Sequence, residues 1–172
     1  MAMEALGRLF DVSIGAAPVD LSAAAVTGKR VSLRNAGGCT ILVVKGAGTA
    51  GDDPTITLKQ HTAASAGTTA NLACIDHYYL KAEATLDGDE QWVKKTQAVA
   101  ATIADPGGAG TSAEEQQIIA IEVDGRSLSD GYDYISLDVA DVGTNAQLGA
   151  VVYLLRDLMV ERAPAKLAAP LS

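Results

Sequence analysis

The chain has 172 residues, 48% of them apolar and 4% aromatic, and its 21 acidic and 13 basic residues give a formal net charge of −8. This length fits one domain, and this apolar content excludes a disordered chain. Nucleic acids and anionic membranes bind clustered Lys and Arg, so the acidic balance and the scattered basic residues disfavour both as partners.

Neither a membrane-spanning helix nor a secretory signal is expected. The longest apolar stretch, residues 148–155, is far shorter than the ~20 residues that span a bilayer as a helix. Glu4 and Arg8 interrupt the N-terminal segment where a signal peptide has its apolar core. We therefore expect a chain that is made and used without export.

Segments in which apolar and polar residues alternate recur along the chain, and this period of two is typical of half-buried β-strands. In chain order, strands are predicted at residues 30–34, 40–45, 55–60, 77–81, 91–95, 99–104, 119–123, 134–139 and 150–155. Segment 40–45 is almost continuously apolar, as expected of a strand covered on both faces. Segments 77–81 and 91–95 are predicted to pair across the turn Asp87-Gly88-Asp89, because Gly accepts the positive φ of a tight hairpin.

Helix signals are sparse. Residues Ser112 to Glu115 have the spacing of a capping box, but the β-branched residues that follow favour a single turn that leads into a strand. Residues 20–26 fit either an alanine-rich helix or an extended segment. The extended form is preferred, since Gly28 and the next strand follow at once.

Gly46, Gly48 and Gly51 form a Gly-x-Gly-x-x-Gly motif directly after an apolar run. In a dinucleotide-binding turn this motif opens a helix, whose N-terminus binds the phosphates. Here Asp52 and Asp53 follow, and then a strand pattern, and two carboxylates would repel a pyrophosphate. We therefore predict a glycine loop between two strands and no cofactor.

Strands separated by Gly, Asp and Pro turns predict an all-β fold, either a β-sandwich or a jelly-roll-like barrel with extended N- and C-terminal arms. Residues 18–160 are assigned to the β-sandwich domain and residues 1–17, irregular in pattern, to an N-terminal arm. Residues 161–172 are assigned to a C-terminal arm, because Pro164 and Pro170 favour an extended chain. This arm is either a frayed tail or a segment that docks on a neighbouring subunit.

Candidate catalytic and metal-binding groups are few. Cys39, His61, Cys74 and His77 offer one loose pair of zinc ligands, whereas structural zinc sites show tight pairs at regular spacing. Both cysteines are expected to be free and to act as small buried hydrophobes. The acidic turn 87–90 resembles a fragment of a calcium loop that lacks its closing Glu. No nucleophile elbow, Walker motif or His-Glu-x-x-His motif occurs, so we predict neither catalysis nor a metal.

Residues of the loops, the C-terminal arm and one strand are the candidates for contact with other subunits. They are Trp92, Gly46, Gly48, Pro164, Leu167 and Pro170. Trp92, the only tryptophan, is either a sheet-face anchor or an interface hot spot. With few aromatic residues the core must be aliphatic, and such a domain is expected to gain part of its stability from self-association or from a partner.

Two stretches carry a resemblance to a known class of protein. The first is Val31-Ser-Leu-Arg-Asn-Ala-Gly-Gly38 with the glycine loop and Thr55-Ile-Thr-Leu-Lys-Gln60 after it, and the second is residues 131–155. Together with the tryptophan strand between them, they resemble small virion proteins of tailed bacteriophages that are encoded close to the major capsid protein. The resemblance covers about residues 18–160. It implies a β-rich capsid decoration (cement) protein without catalytic residues.

The resemblance implies a protein of the virion surface, assembled in the host cytoplasm, that binds the outside of the capsid lattice and stabilises it. Its expected partners are the major capsid protein and copies of itself, for example in a trimer. A tail or neck subunit (connector or tail tube) is the alternative within the particle. A carbohydrate-binding β-sandwich is a third hypothesis, but one Trp, one Phe and five Tyr leave few rings to stack on sugars.

Overall fold

The computed structural model of the protein describes residues 5–171, so residues 1–4 and 172 of the predicted arms lie outside the described part. Two short 3-10 helices occur in it, Gly125–Ser127 and Pro164–Lys166. The strands are β1 (Phe10–Asp20), β2 (Val31–Ser32), β3 (Ala36–Lys45), β4 (Thr55–His61), β5 (Thr69–Asn71), β6 (Ile75–Glu83), β7 (Val93–Ala100), β8 (Thr102–Ala104), β9 (Gln116–Asp124), β10 (Tyr134–Val139) and β11 (Leu148–Leu158). Among the described residues, no helix is long and apolar enough to cross a membrane.

The strands form two antiparallel sheets that pack face to face as a β-sandwich, which confirms the predicted all-β fold. The six-stranded sheet has the order β1-β11-β3-β9-β6-β7. The five-stranded sheet has the order β2-β10-β4-β5, with β8 paired to the first half of β4. β6 and β7 form the predicted hairpin, with Tyr79 opposite Lys94.

The chain changes sheets at most of its connections. β3 lies in the six-stranded sheet and β4 in the five-stranded sheet, and the same alternation relates β9, β10 and β11. In the described chain, β4–β5 and β6–β7 are the successive strands that stay in one sheet. Strands that follow one another are therefore rarely hydrogen-bonded partners.

The core between the sheets is aliphatic, as predicted. Side chains alternate along each strand, so every second residue enters the core. On β3 these residues are Cys39, Ile41 and Val43, and on β4 they include Ile56 and Leu58. All five are buried, which accounts for the period of two on which the strand predictions depend.

β1 moves the beginning of the domain towards the N-terminus. The sequence analysis assigns residues 1–17 to an arm, but β1 begins at Phe10 and pairs with β11, so the predicted boundary lies inside a strand. The pairing register shifts between Ile14 and Ala16, and again between Ala16 and Val19. Residues 10–14 alternate between apolar and polar, so the beginning of this strand is visible in the sequence although the assignment to an arm overlooks it. The bulges interrupt the alternation after Ile14.

A tyrosine of the six-stranded sheet completes the hydrogen bonding of the five-stranded sheet. Tyr153 on β11 is fully buried, and its hydroxyl accepts a hydrogen bond of 3.0 Å from the backbone N–H of Leu137. The same hydroxyl donates to the carbonyl oxygen of Lys29 at 3.0 Å. The hydroxyl therefore links β10 to the segment before β2. It does so between two places where these segments pair directly, the β2–β10 ladder and the isolated bridge of Val26 to Val139.

The first bulge of β1 makes room for this tyrosine. A Cβ atom at Gly15 would lie 2.7 Å from both the Tyr153 ring and the Val151 side chain. The carbonyl oxygen of Gly15 accepts a hydrogen bond of 2.8 Å from the N–H of Lys29. We call Gly15, Lys29, Leu137 and Tyr153 the Tyr153 joint, because they tie β1, β10, β11 and the segment before β2 together.

Replacement of the hydroxyl at the centre of the joint should destabilise the fold. Tyr153→Phe leaves the N–H of Leu137 and the carbonyl of Lys29 without their partner, and a buried backbone group without a partner costs about 1–3 kcal/mol. The free energy of unfolding, measured in urea, should fall by about that amount. Tyr132→Phe, in a surface turn, is the control, and equal stability of the two variants would contradict the role of the joint.

Candidate binding surface

The outer face of the six-stranded sheet carries apolar side chains across most of its width. The strand register places Ile14, Val152, Leu42, Ala120 and Tyr79 in one row that crosses five neighbouring strands. These residues alternate with the core residues of the same strands, so their side chains point away from the five-stranded sheet.

Two flanking rows share this apolar character and end in polar residues on the side of β9 and β6. One contains Ala150, Val44, Ile118 and Lys81, and the other contains Val12, Leu154, Thr40 and Glu122. We call the apolar members of the three rows on β1, β11, β3 and β9 the apolar face: Val12, Ile14, Leu42, Val44, Ile118, Ala120, Ala150, Val152 and Leu154.

Within residues 5–171 no third layer packs on the apolar face. Val12, Ile14 and Val44 are 46%, 40% and 43% exposed. β3 is therefore apolar on both sides and covered on one, so the predicted covering of segment 40–45 on both faces is wrong for the described chain. A continuously apolar strand is typical of sheets with two covers, and β3 has this composition without the second cover.

Trp92 lies at the rim of the apolar face. It is 48% exposed, and Nζ of Lys81 lies 5.4 Å from the centroid of its ring. Lys81 and Lys94 both occupy the β6–β7 side of the outer face, where the apolar rows end. The basic rim lies beside the apolar residues without interrupting them. The role of Trp92 in an interface stays a prediction.

Both edges of the six-stranded sheet oppose pairing with another strand. β1 contains two bulges and Pro18, whose nitrogen cannot donate a hydrogen bond. β7 carries Lys94 and Lys95, and its register with β6 is broken between Ile75 and His77. Bulges, Pro and Lys are the usual means by which natural sheets avoid edge-to-edge association. The face is thus a better route for association than the edges.

The outer face of the five-stranded sheet is polar and internally hydrogen bonded. Nζ of Lys59 lies 2.6 Å from Oδ2 of Asp138. The two ring nitrogens of His61 lie 2.8 Å from Oγ of Ser136 and 2.9 Å from Oγ1 of Thr69. These polar groups are paired within the domain, so this face differs from the apolar face in both composition and hydrogen bonding.

The glycine loop joins β3 to β4 and leads into a strand, as predicted. The N–H of Gly46 donates to the carbonyl of Leu148 at 2.7 Å, and that of Gly48 to the carbonyl of Ala113 at 2.7 Å. A Cβ atom at Gly48 would lie 2.6 Å from Nε2 of Gln147, which is fully buried. The loop packs on its own domain, and its contact with a neighbouring subunit stays a prediction.

The carboxylates that follow the glycines fasten this loop to its neighbours. Oδ1 of Asp53 accepts a hydrogen bond of 2.9 Å from the N–H of Ala113, and Oδ2 of Asp52 accepts one of 3.4 Å from Nδ2 of Asn145. At the base of the loop, burial lowers the pKa of Lys45 to about 8. Asp52 and Asp53 therefore have structural partners in this end of the sandwich.

The C-terminal segment, residues 161–171, contacts its own domain. The N–H of Ser32 in β2 donates to the carbonyl of Pro170 at 2.8 Å. Leu167 and Pro170 are half-buried and line a groove beside β11, whereas Pro164 is exposed and begins a 3-10 helix. Docking of these residues on a neighbouring subunit stays a prediction.

Four carboxylates cluster in the β6–β7 turn. Their ligand oxygens, from Glu83, Asp87, Asp89 and Glu90, all lie within 4.8 Å of one another. Partial desolvation, and then the neighbouring carboxylates, raise the pKa of Glu83. Hard oxygen donors of this kind suit Ca²⁺, and exposed acidic turns are also common on acidic proteins.

The fold separates the residues considered for zinc. Cys39 is buried in the core of the six-stranded sheet, whereas His61 lies on the outward side of the five-stranded sheet. Cys39 and Cys74 are both free, as expected, but Cys74 is half-buried, so the expected full burial holds for Cys39 alone. Burial raises the pKa of Cys39 to about 12 and that of Cys74 to about 11, so neither thiol is a ready nucleophile.

The apolar face is the feature that the site predictions missed. Its signal lies in the apolar segments 40–45 and 150–155, of which segment 40–45 is predicted to be covered on both faces. The chain matches no protein-family model, no curated protein and no solved structure. Its function is therefore inferred from the surface itself.

The buried His61 should make the stability of the protein depend on pH. Burial, and then the nearby Arg30, lower the pKa of His61 from 6.5 to about 4. The unfolded chain thus binds a proton that the folded chain excludes, so the free energy of unfolding should fall as the pH decreases from about 6.5 to about 4.

Urea unfolding across this pH range would measure the effect. His61→Gln should flatten the pH dependence seen in the wild type. The carboxylates are the same in the wild type and the variant, so their contribution to the pH dependence cancels when the two profiles are subtracted. Identical pH profiles for the wild type and His61→Gln would show that His61 is not the group responsible.

The two glycines of the loop should differ in their tolerance of a methyl group. Gly48→Ala places Cβ against the buried Gln147 and should lower the free energy of unfolding by about 1–3 kcal/mol. Gly46→Ala brings Cβ to 3.6 Å from the carbonyl oxygen of Leu148, an ordinary contact, and should change stability little. Thermal unfolding of both variants measures this, and the reverse order would contradict the described packing.

Proposed function

We propose that the protein is a structural subunit of a tailed-bacteriophage particle, a decoration protein that binds the outside of the capsid lattice. The observation that carries the proposal is the apolar face. The central strands of the six-stranded sheet are apolar on both sides, as in sheets covered on both faces, but in the described chain the five-stranded sheet covers only the inner side. Large exposed apolar patches on soluble proteins typically mark sites of protein–protein contact. The resemblance of residues 18–160 to small virion proteins supports the capsid as the location.

A decoration protein acts through binding free energy alone. Burial of apolar surface contributes about 25 cal/mol per Å², against which the loss of rotational and translational freedom must be set. A subunit that binds the mature lattice and no other state stabilises that state by mass action. The net charge of −8 disfavours contact with packaged nucleic acid, which agrees with a place on the outside.

A charge placed in the apolar face should abolish incorporation into particles. Val44→Lys puts an ammonium group on β3 in a flanking row of the face, where its burial would cost several kcal/mol, and bound copies should fall at least tenfold. Val93→Lys is the matched control, because Val93 is 52% exposed on the opposite side of the same sheet. Both variants change the net charge equally. Quantitative mass spectrometry of purified particles provides the measurement.

The copy number separates the possible roles. A decoration protein should be present in many copies per particle, in proportion to the capsid subunits. One ring of copies would instead indicate the tail or neck, and absence from particles would reject the virion role altogether. Equal incorporation of Val44→Lys and Val93→Lys would show that another surface makes the contact.

A further inference from the structure

We propose that the partner that covers the apolar face is a second copy of this chain, packed face to face about a two-fold axis. This inference rests on the proposed role of the apolar face as a binding surface and names its occupant. A dimer of two sandwiches would then be the unit that joins the particle. Other surfaces of the two copies would contact the capsid lattice, and Val44→Lys would lower incorporation by breaking the dimer. Four properties of the described residues favour this occupant over an unrelated protein.

The first property is shape. An apolar sheet face is well complemented by another sheet face, and stacked sheets pack about 10 Å apart with interdigitating side chains. A two-fold dimer brings two identical faces with the same twist together, so each supplies the cover that the other lacks. β3 and β11 would then have the two covers that their composition indicates.

The second property is size. Six strands spaced about 4.8 Å apart and three rows of side chains about 7 Å apart give roughly 500–600 Å² per copy for the whole outer face, and the four strands of the apolar face supply about two thirds of it. The accessible surface area is larger than this projected area, because side chains protrude from the sheet and residues at the rim also contribute. Stable interfaces bury about 800 Å² per partner and weaker ones less, so the apolar face together with its β6–β7 rim is large enough for a dimer of moderate affinity.

The third property is charge. The chain carries a net charge of −8, which opposes association of two copies, but the three rows contain Glu122 as their one carboxylate. The cations Lys81 and Lys94 lie at one side of the face. Contact through this face therefore brings the copies together without burying the acidic groups of the loops, whose desolvation would be costly.

A particular two-fold axis also keeps the lysines apart. If the axis runs parallel to the strands between β3 and β9, β7 of one copy lies over β1 of the other. Lys94 then faces Ile14 of the second copy at the rim, where its ammonium group can reach water. At the centre, Leu42 faces Ala120 of the second copy, a large residue against a small one, as interdigitated packing requires.

The fourth property is the protection of the edges. The bulges and Pro18 of β1, and the lysines and broken register of β7, disfavour a continuous sheet across two copies. Self-association by strand addition is thus opposed at both edges of the six-stranded sheet. The face remains as the self-complementary surface of this sheet.

Sedimentation equilibrium of the purified full chain tests the inference. The wild type and Val93→Lys should form dimers, whereas Val44→Lys should dissociate at least a hundredfold more readily. Val152→Lys, on β11 in the same face, should behave like Val44→Lys, and circular dichroism should show that all variants are folded. A wild-type monomer, a higher oligomer, or a dimer unaffected by both face variants would overturn the inference.

The outcomes distinguish this inference from the proposed function. A wild-type monomer that still requires Val44 for incorporation into particles would mean that the capsid protein covers the face, so the function would stand and the dimer would not. A dimer that depends on Val44 but is absent from particles would leave the dimer standing and reject the virion role.

Discussion

The hydroxyl of Tyr153 holds the two sheets in one relation to each other. Contact between aliphatic inner faces is non-directional, so by itself it specifies that the sheets pack but only weakly how they align. The two hydrogen bonds of the buried hydroxyl are directional, and they join β11 to β10 and to the segment before β2. Gly15 must be small for the ring to fit, so β1 is part of this joint and belongs to the folded domain.

The fold class could be predicted because every second side chain of a half-buried strand enters the core, so apolar residues recur at every second position of the sequence. Segments 119–123 and 134–139 alternate clearly, and they correspond to β9 and β10. The glycine loop could be distinguished from a phosphate site because Asp52, Asp53 and a strand follow it. The assignment of strands to sheets could not be predicted: nothing in the loop composition shows that β3 and β4 lie in different sheets. β1 is visible in the sequence only over residues 10–14, because its bulges interrupt the alternation after Ile14.

The candidate site was predictable only in part, because an apolar residue does not reveal what will cover it. Segment 40–45 indicated two covers, and the described chain supplies one. Trp92 was selected for its residue type, and it lies at the rim of the apolar face. Gly46, Gly48, Leu167 and Pro170 were selected for their loop and arm positions, and the structure gives each of them contacts within its own domain.

The distribution of polarity between the two sheets explains how an acidic chain can associate. On the five-stranded sheet, outward polar groups such as Lys59 and Asp138 are paired with one another. Repulsion between two copies with a net charge of −8 acts over distances that salt limits to about 10 Å, whereas apolar burial acts at contact. Because few charged residues lie among the rows of the apolar face, contact there gains the free energy of burying apolar surface and leaves most carboxylates in water. The same asymmetry opposes association through the other sheet, where every approach would have to desolvate paired ions.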